Sequence, residues 1–149
     1  MVIVHTLCSL LSYGAFLMAF VSGVLFLIQE RQLKRKHMGK LFHSLPPLET
    51  LERVNYFAIS VGFGLLTVGI VCGFIGARVF FGHWWNGDPK EWLTVALWAL
   101  YLFLWLIRFR ATQRGRKVAL LSVLGFSLVL LAFVGAGWLL HSWHPYIKG

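Results

Sequence analysis

The sequence predicts an all-α, multi-pass membrane protein: a single domain over residues 1–149, with four transmembrane helices and both termini outside. Of its 149 residues, 58% are hydrophobic and only 13% are charged, which is outside the range of a soluble domain of this size. The apolar residues form four runs of transmembrane length. Of the 14 Lys and Arg residues, 11 lie in two segments between these runs, which the positive-inside rule places in the cytoplasm.

The first span is predicted at residues 2–28. A charged segment follows it where a signal peptide would have small residues at a cleavage site, so we expect a retained helix with its N-terminus outside. His5, Ser9, Ser12 and Phe16 recur at spacings of three and four residues. Such a stripe lies on one helix face, and we expect that face to turn toward other helices rather than lipid.

Residues 29–53 are predicted to form a cytoplasmic loop, because six basic residues lie in it. Pro46 and Pro47 interrupt any helix there, and a short interfacial helix can begin at Pro47 and lead into the second span. His37 and His43 lie in this loop without a cluster of cysteines or carboxylates at ligand spacing, so we interpret them as solvated side chains.

The second span is predicted at residues 54–79 and is rich in glycine. Gly69, Gly73 and Ala77 are spaced four apart, the arrangement that allows close approach of two helices. A face without bulky side chains can also leave room for a flat macrocycle, and both interpretations stay open. Arg78 follows at the outer end, where it can reach the interface or pair with an anionic group.

A polar, tryptophan-rich loop is predicted at residues 80–91, where indole rings suit the boundary between membrane and water. Asp88 suits the N-cap of the next helix, with Pro89 in its first turn and Glu91 as the capping-box partner. This capping role accounts for Asp88 without any catalysis.

The third span is predicted at residues 91–107, with Trp98 and Trp105 seven residues apart on one face. The basic segment after it is assigned to the cytoplasm. The fourth span is predicted at residues 118–140, with the histidine- and tryptophan-containing C-terminal segment outside.

This topology gathers four of the six histidines at the outer face, namely His5, His83, His141 and His144. Neutral imidazole is a good ligand for haem iron, and histidines from two helix ends can hold a haem at a membrane surface. The alternative is that each histidine is simply an interfacial polar residue. If haem binds, the loop containing Trp84 and Trp85 can cover the porphyrin, and Arg78 or Lys90 can pair with its propionates.

The loop from Phe81 to Glu91 resembles the "WWD" signature, roughly W-G-x-x-W-x-W-D-x-K-E, of the cytochrome c assembly family that includes CcsA, CcmC and the HemX-like proteins. The matching residues are Gly82, Trp85, Asp88, Lys90 and Glu91. Phe81 and Gly87 stand where the family has tryptophan. Segments 5–13, 29–34, 48–52 and 140–142 also resemble HemX-type sequences, so the resemblance spans nearly the whole chain.

This resemblance implies a haem site at the outer face, because external histidines on both sides of the motif ligate haem in the family. His5 and His141 occupy the matching places and are expected to bind the iron of a b-type haem, with His144 or His83 as substitutes. The further residues expected at the cofactor are Arg78, Trp84, Trp85, Asp88 and Lys90. Larger members also use histidines inside the membrane, but Leu106 stands at that position, so no inner haem site is expected.

Two functions therefore stay open. The first is haem handling during cytochrome c biogenesis, at the periplasmic face of a bacterial inner (plasma) membrane, with membrane lipid, other membrane subunits and a c-type apocytochrome as partners. The second is a small membrane-anchor or electron-transfer subunit of a respiratory complex, with a fixed b-type haem or none.

Other classes of function are disfavoured. No catalytic constellation of serine, cysteine or carboxylate is present, so we expect a binding or accessory role rather than an enzyme. Cys8 and Cys72 form no C-x-x-C motif and are interpreted as buried small hydrophobic residues. Nucleic-acid binding is not expected, because the membrane topology already explains the net charge of +9.

Overall fold

The fold is built from long helices. The computed structural model describes residues 2–82, 84, 87, 89–110 and 115–142, with the backbone alone for residues 2, 89–90, 132–133 and 136–142. Within these residues the chain is helical and has no strand, which confirms the all-α prediction for this part. The helices are α1 (Val2–Lys34), α2 (Lys40–Ser44), α3 (Leu48–Phe81), α4 (Pro89–Phe109) and α5 (Arg116–Ser142).

Three of these helices, α1, α3 and α4, are long and apolar enough to cross a membrane, counted over the residues whose side chains are described. The chain is therefore a multi-pass membrane protein. Helix α5 covers the predicted fourth span, but part of it lies outside that count. The number of four spans and the position of the termini outside stay predictions.

The helices extend further than the predicted spans. Helix α1 continues to Lys34, and α3 begins at Leu48, so the predicted loop at 29–53 is wrong over much of its length. The helix predicted to begin at Pro47 and lead into the second span is confirmed as the first part of α3. In each extension, two oppositely charged residues one turn apart form an ion pair: Glu30 with Lys34 at 3.3 Å, and Glu49 with Arg53 at 2.8 Å. An apolar run marks where a helix meets lipid, whereas the helix itself can continue into water.

Neighbouring helices run antiparallel. The Phe16 ring lies against Gly62, whereas Asn55 donates to the carbonyl oxygen of Ala19, so α1 and α3 run in opposite directions. Contacts of α3 with α4 and of α1 with α5 follow the same pattern. The start of α1, the end of α3 and the start of α4 thus share one end of the bundle, here called the cleft end. The opposite end, called the basic end, carries Arg31, Lys34, Arg108 and Arg116.

The core lies between α1, α3, α4 and α5. Phe16 and Tyr101 are fully buried and stack with their ring centroids 3.5 Å apart. Gly62 provides the necessary space, because a Cβ there would lie 2.4 Å from the Phe16 ring. Cys8 and Cys72 are free thiols and are partly buried, so they are more exposed than the predicted buried hydrophobic residues.

Polar contacts join the helices near the basic end. Asn55 donates to the Ala19 carbonyl oxygen at 2.7 Å and to the Ser122 hydroxyl at 3.1 Å, which links α3 to α1 and α5. Arg108 forms an ion pair with Glu52, and its guanidinium lies 5.3 Å from the centroid of the Tyr56 ring. These contacts fix the relative position of four helices.

Candidate functional site

Two adjoining clefts open at the cleft end, each with a volume of about 260 Å³. Both are lined by His5 from α1, Gly73 and Ala77 from α3, and Glu91 from α4. The first cleft extends between α3 and α4 along Ile70, Phe74, Thr94 and Val95. The second extends toward the end of α3 along Cys72, Gly76, Phe80 and Phe81.

The position of His5 is set by a hydrogen bond to the backbone of α3. Its Nδ1 atom lies 2.6 Å from the carbonyl oxygen of Gly69. A carbonyl oxygen can only accept a hydrogen bond, so Nδ1 must carry the proton. In the neutral ring Nε2 then has a free lone pair. This is how a backbone carbonyl orients a metal-binding histidine and fixes its tautomer.

The small-residue face predicted on α3 packs against α1. A Cβ at Gly69 would lie 3.1 Å from the Ser9 hydroxyl, and one at Gly73 would lie 3.0 Å from two atoms of the His5 ring. Ala77 continues this face into both clefts. The close packing is confirmed, and the same face also forms a cleft wall without bulky side chains.

Arg78 holds one residue of the tryptophan-rich loop. Its guanidinium carbon lies 4.4 Å from the centroid of the Trp84 ring, a cation–π contact between the last turn of α3 and the loop. A guanidinium stacked in this way still presents N–H donors at its edge. Arg78 can therefore hold Trp84 and bind a carboxylate at the same time.

Glu91 has a structural role and also lines the cleft. Its carboxylate accepts a hydrogen bond from the backbone N–H of Gly87 at 3.1 Å, which ties the loop to the start of α4. In the predicted capping box, Glu91 would accept a hydrogen bond from the backbone N–H of the N-cap residue. The observed donor is Gly87, one residue before the predicted N-cap. Glu91 was predicted as a cap and as part of the tryptophan-rich motif, but its position beside His5 in both clefts was not predicted.

Several predicted site residues are not described. His83, Trp85, Asp88 and His144 lie outside the described residues, and for Lys90 and His141 the backbone alone is described. The backbone of His141 can be placed in depth from the contact between Phe20 and Phe126, whose ring centroids are 5.3 Å apart. His5 lies 15 residues before Phe20 on α1, and His141 lies 15 residues after Phe126 on α5. Because these two helices are antiparallel, both histidines lie toward the cleft end. At ~1.5 Å per residue, both lie about 22 Å from the contact between the two rings.

The fold and cleft define a class: an all-helical membrane protein with a histidine-lined cleft at one end of the bundle. The sequence profile of the cytochrome c assembly protein family matches residues 1–144. The chain therefore belongs to the cytochrome c assembly protein family, as the tryptophan-rich loop predicted.

Individual relatives agree with this assignment. A cytochrome c biogenesis protein CcsA from Prochlorococcus marinus subsp. pastoris is 33% identical over 97% of this chain and 52% of its own length. The protein of the same name from Guillardia theta is 29% identical over 95% of this chain and 52% of its own length. This chain thus spans about half the length of the curated relatives that it matches. No solved structure matches it significantly.

Proposed function

We propose that this chain handles haem during cytochrome c biogenesis. A b-type haem would be held non-covalently at the outer membrane face by the imidazoles of His5 and His141, with His144 or His83 as substitutes. When bound, the haem would supply an iron atom that accepts nitrogen ligands. The role is binding and presentation rather than enzymatic catalysis.

The observation that carries this proposal is the hydrogen bond from His5 Nδ1–H to the Gly69 carbonyl oxygen. It leaves Nε2 as the unprotonated nitrogen, which is the atom that can bind iron, on a ring that lines the cleft. A ligand held by one backbone carbonyl is oriented before the haem arrives, which lowers the cost of binding. The antiparallel register of α1 and α5 supports His141 as the second ligand, because it brings the two backbones to a similar depth.

The lining of the two clefts supports a flat macrocycle as the ligand. Gly73, Gly76 and Ala77 leave one wall free of large side chains, and Phe74 and Phe80 add apolar surface. In the proposed site Trp84 and Trp85 cover the open side of the macrocycle. Arg78 and Lys90 bind the propionates, and Asp88 caps α4 and so positions the loop.

The proposed topology has four spans with both termini outside, and it places this cleft on the periplasmic side of a bacterial inner (plasma) membrane. Arg31, Lys34, Arg108 and Arg116 at the basic end support this orientation through the positive-inside rule. On the periplasmic side the chain can present haem to a c-type apocytochrome, together with other membrane subunits.

Deletion of the gene tests the proposed function. A haem-handling protein of assembly serves many client proteins, so we expect a broad loss of c-type cytochromes, seen by haem staining of membranes. Re-expression of the parent chain should restore them. Loss of one respiratory complex with every other c-type cytochrome intact would contradict the proposal and favour a small membrane-anchor or electron-transfer subunit.

A further inference from the structure

A groove of about 570 Å³ lies between α1 and α5 at the basic end, far from the histidine cleft. Its lining includes Leu27, Ile28 and Arg31 from α1, Arg35 from the turn just after α1, and Arg116 and Leu120 from α5. On both helices the basic residues lie nearest the end, and the apolar residues lie one turn deeper. The groove therefore changes from cationic to apolar along its length.

Four cations of the described chain line this groove, and they form two groups: Lys34 and Arg116 are paired with a carboxylate, whereas Arg31 and Arg35 are paired with none that the structure describes. Glu30 lies 3.3 Å from Lys34 and 3.9 Å from Arg116, so one carboxylate holds a cation from each helix. Arg31 and Arg35 form no ion pair with any carboxylate in the described part of the chain. Two exposed guanidinium groups are thus available to an anion, and each suits a phosphate oxygen pair.

The apolar end favours an anion that is attached to hydrocarbon. Ile28 and Leu120 are each 37% exposed. Ile28 lies about one turn, ~5.4 Å, deeper than Arg31, and Leu120 lies about one turn deeper than Arg116. A free phosphate would contact the guanidinium groups and leave this apolar surface unused. A phospholipid would place its phosphate at the arginines and its acyl chains along Leu27, Ile28 and Leu120.

We propose that this groove is a binding site for the headgroup of an anionic phospholipid of the membrane leaflet at the basic end. Its partner is a lipid such as phosphatidylglycerol, held by Arg31 and Arg35. The predicted cytoplasmic location agrees with this proposal, because anionic lipids attract basic segments next to a membrane. The site does not depend on haem binding.

The test is a titration of short-chain phosphatidylglycerol into the full chain in detergent, followed by native mass spectrometry, with phosphatidylcholine in parallel. Arg31→Gln/Arg35→Gln should weaken phosphatidylglycerol binding by about fivefold for each charge removed, and so by about 25-fold together. Lys40→Gln/Arg53→Gln is the matched control, since it removes two cations from the same region but outside the groove. Circular dichroism checks that all variants keep their helices.

The control variant should bind phosphatidylglycerol like the parent. An equal loss in both double variants would overturn the groove assignment and indicate diffuse attraction to a basic surface. Parent binding no tighter for phosphatidylglycerol than for phosphatidylcholine would also overturn it. Competition by inorganic phosphate at the same concentration as the lipid would show that the groove takes a free anion rather than a lipid.

Discussion

At Gly73 the space between α3 and the imidazole of His5 is too small for a side chain. A Cβ at this position would lie 3.0 Å from both Cε1 and Nδ1 of His5. Gly73→Ala should therefore displace the ring, weaken its bond to Gly69 and lower the haem content of the purified protein. We expect a loss of stability of about 1–3 kcal/mol, as for other overpacked sites. Haem content and thermal unfolding in detergent are the measurements.

Gly64→Ala is the matched control for this prediction, because it lies on the same helix and a Cβ there would meet no atom within 4 Å. It should keep the haem content of the parent and gain slightly in helix stability, since alanine is the better helix former. Equal haem content in both alanine variants would show that the space beside His5 is not required.

The sequence predicted which helix faces meet at the cleft better than it predicted the backbone groups that bind their side chains. The spacing of His5, Ser9 and Phe16 predicted the face that packs against α3, and the spacing of Gly69 and Gly73 predicted the opposing face. The Gly69 carbonyl had no sequence signal of its own, because every residue carries such an acceptor. Only the register between the two helices shows which carbonyl meets Nδ1.

At the scale of helices, the Glu52–Arg108 ion pair joins α3 to α4. Its side chains are 24% and 12% exposed, so removal of either partner leaves a poorly solvated charge. We expect Glu52→Gln or Arg108→Gln to cost about 1–3 kcal/mol of stability, less than the ~3–5 kcal/mol of a fully buried pair. The double variant should lose less than the sum of the single variants. Thermal unfolding of the four proteins measures this coupling.

Arg53→Gln is the control for this pair. Arg53 and Glu49 lie one turn apart on α3, and their side chains are 78% and 76% exposed. Loss of this ion pair should therefore change the unfolding temperature little. Equal effects of Arg53→Gln and Arg108→Gln would contradict a structural role for the pair between α3 and α4.

The extent of the helices was harder to predict than their existence. Apolar runs located the spans, but they gave no signal for the polar turns of α1 up to Lys34. The start of α3 at Leu48 did have a signal, because Pro47 predicted a helix leading into the second span. The pair of Glu52 and Arg108 was also missed. These residues are separated by 56 positions, and only the antiparallel packing of α3 and α4 brings them together.

For the whole molecule, the orientation in the membrane decides whether the cleft faces the compartment of cytochrome c maturation. With Cys8 and Cys72 replaced by serine, Trp84→Cys should react with a membrane-impermeant thiol reagent in whole cells or spheroplasts. Ser44→Cys should react only after the membrane is permeabilised, because Ser44 lies at the basic end. Labelling of Ser44→Cys but not of Trp84→Cys in intact cells would reverse the proposed topology.

The optical spectrum of the haem-loaded chain tests most directly whether His5 and His141 bind iron at this cleft. The parent should contain b-type haem by the pyridine haemochrome assay. His5→Ala and His141→Ala should each remove an iron ligand, changing the spectrum and lowering haem content. His37→Ala, which removes an exposed histidine from the basic end, should match the parent. An unchanged spectrum and haem content in both outer variants would contradict the proposed ligands.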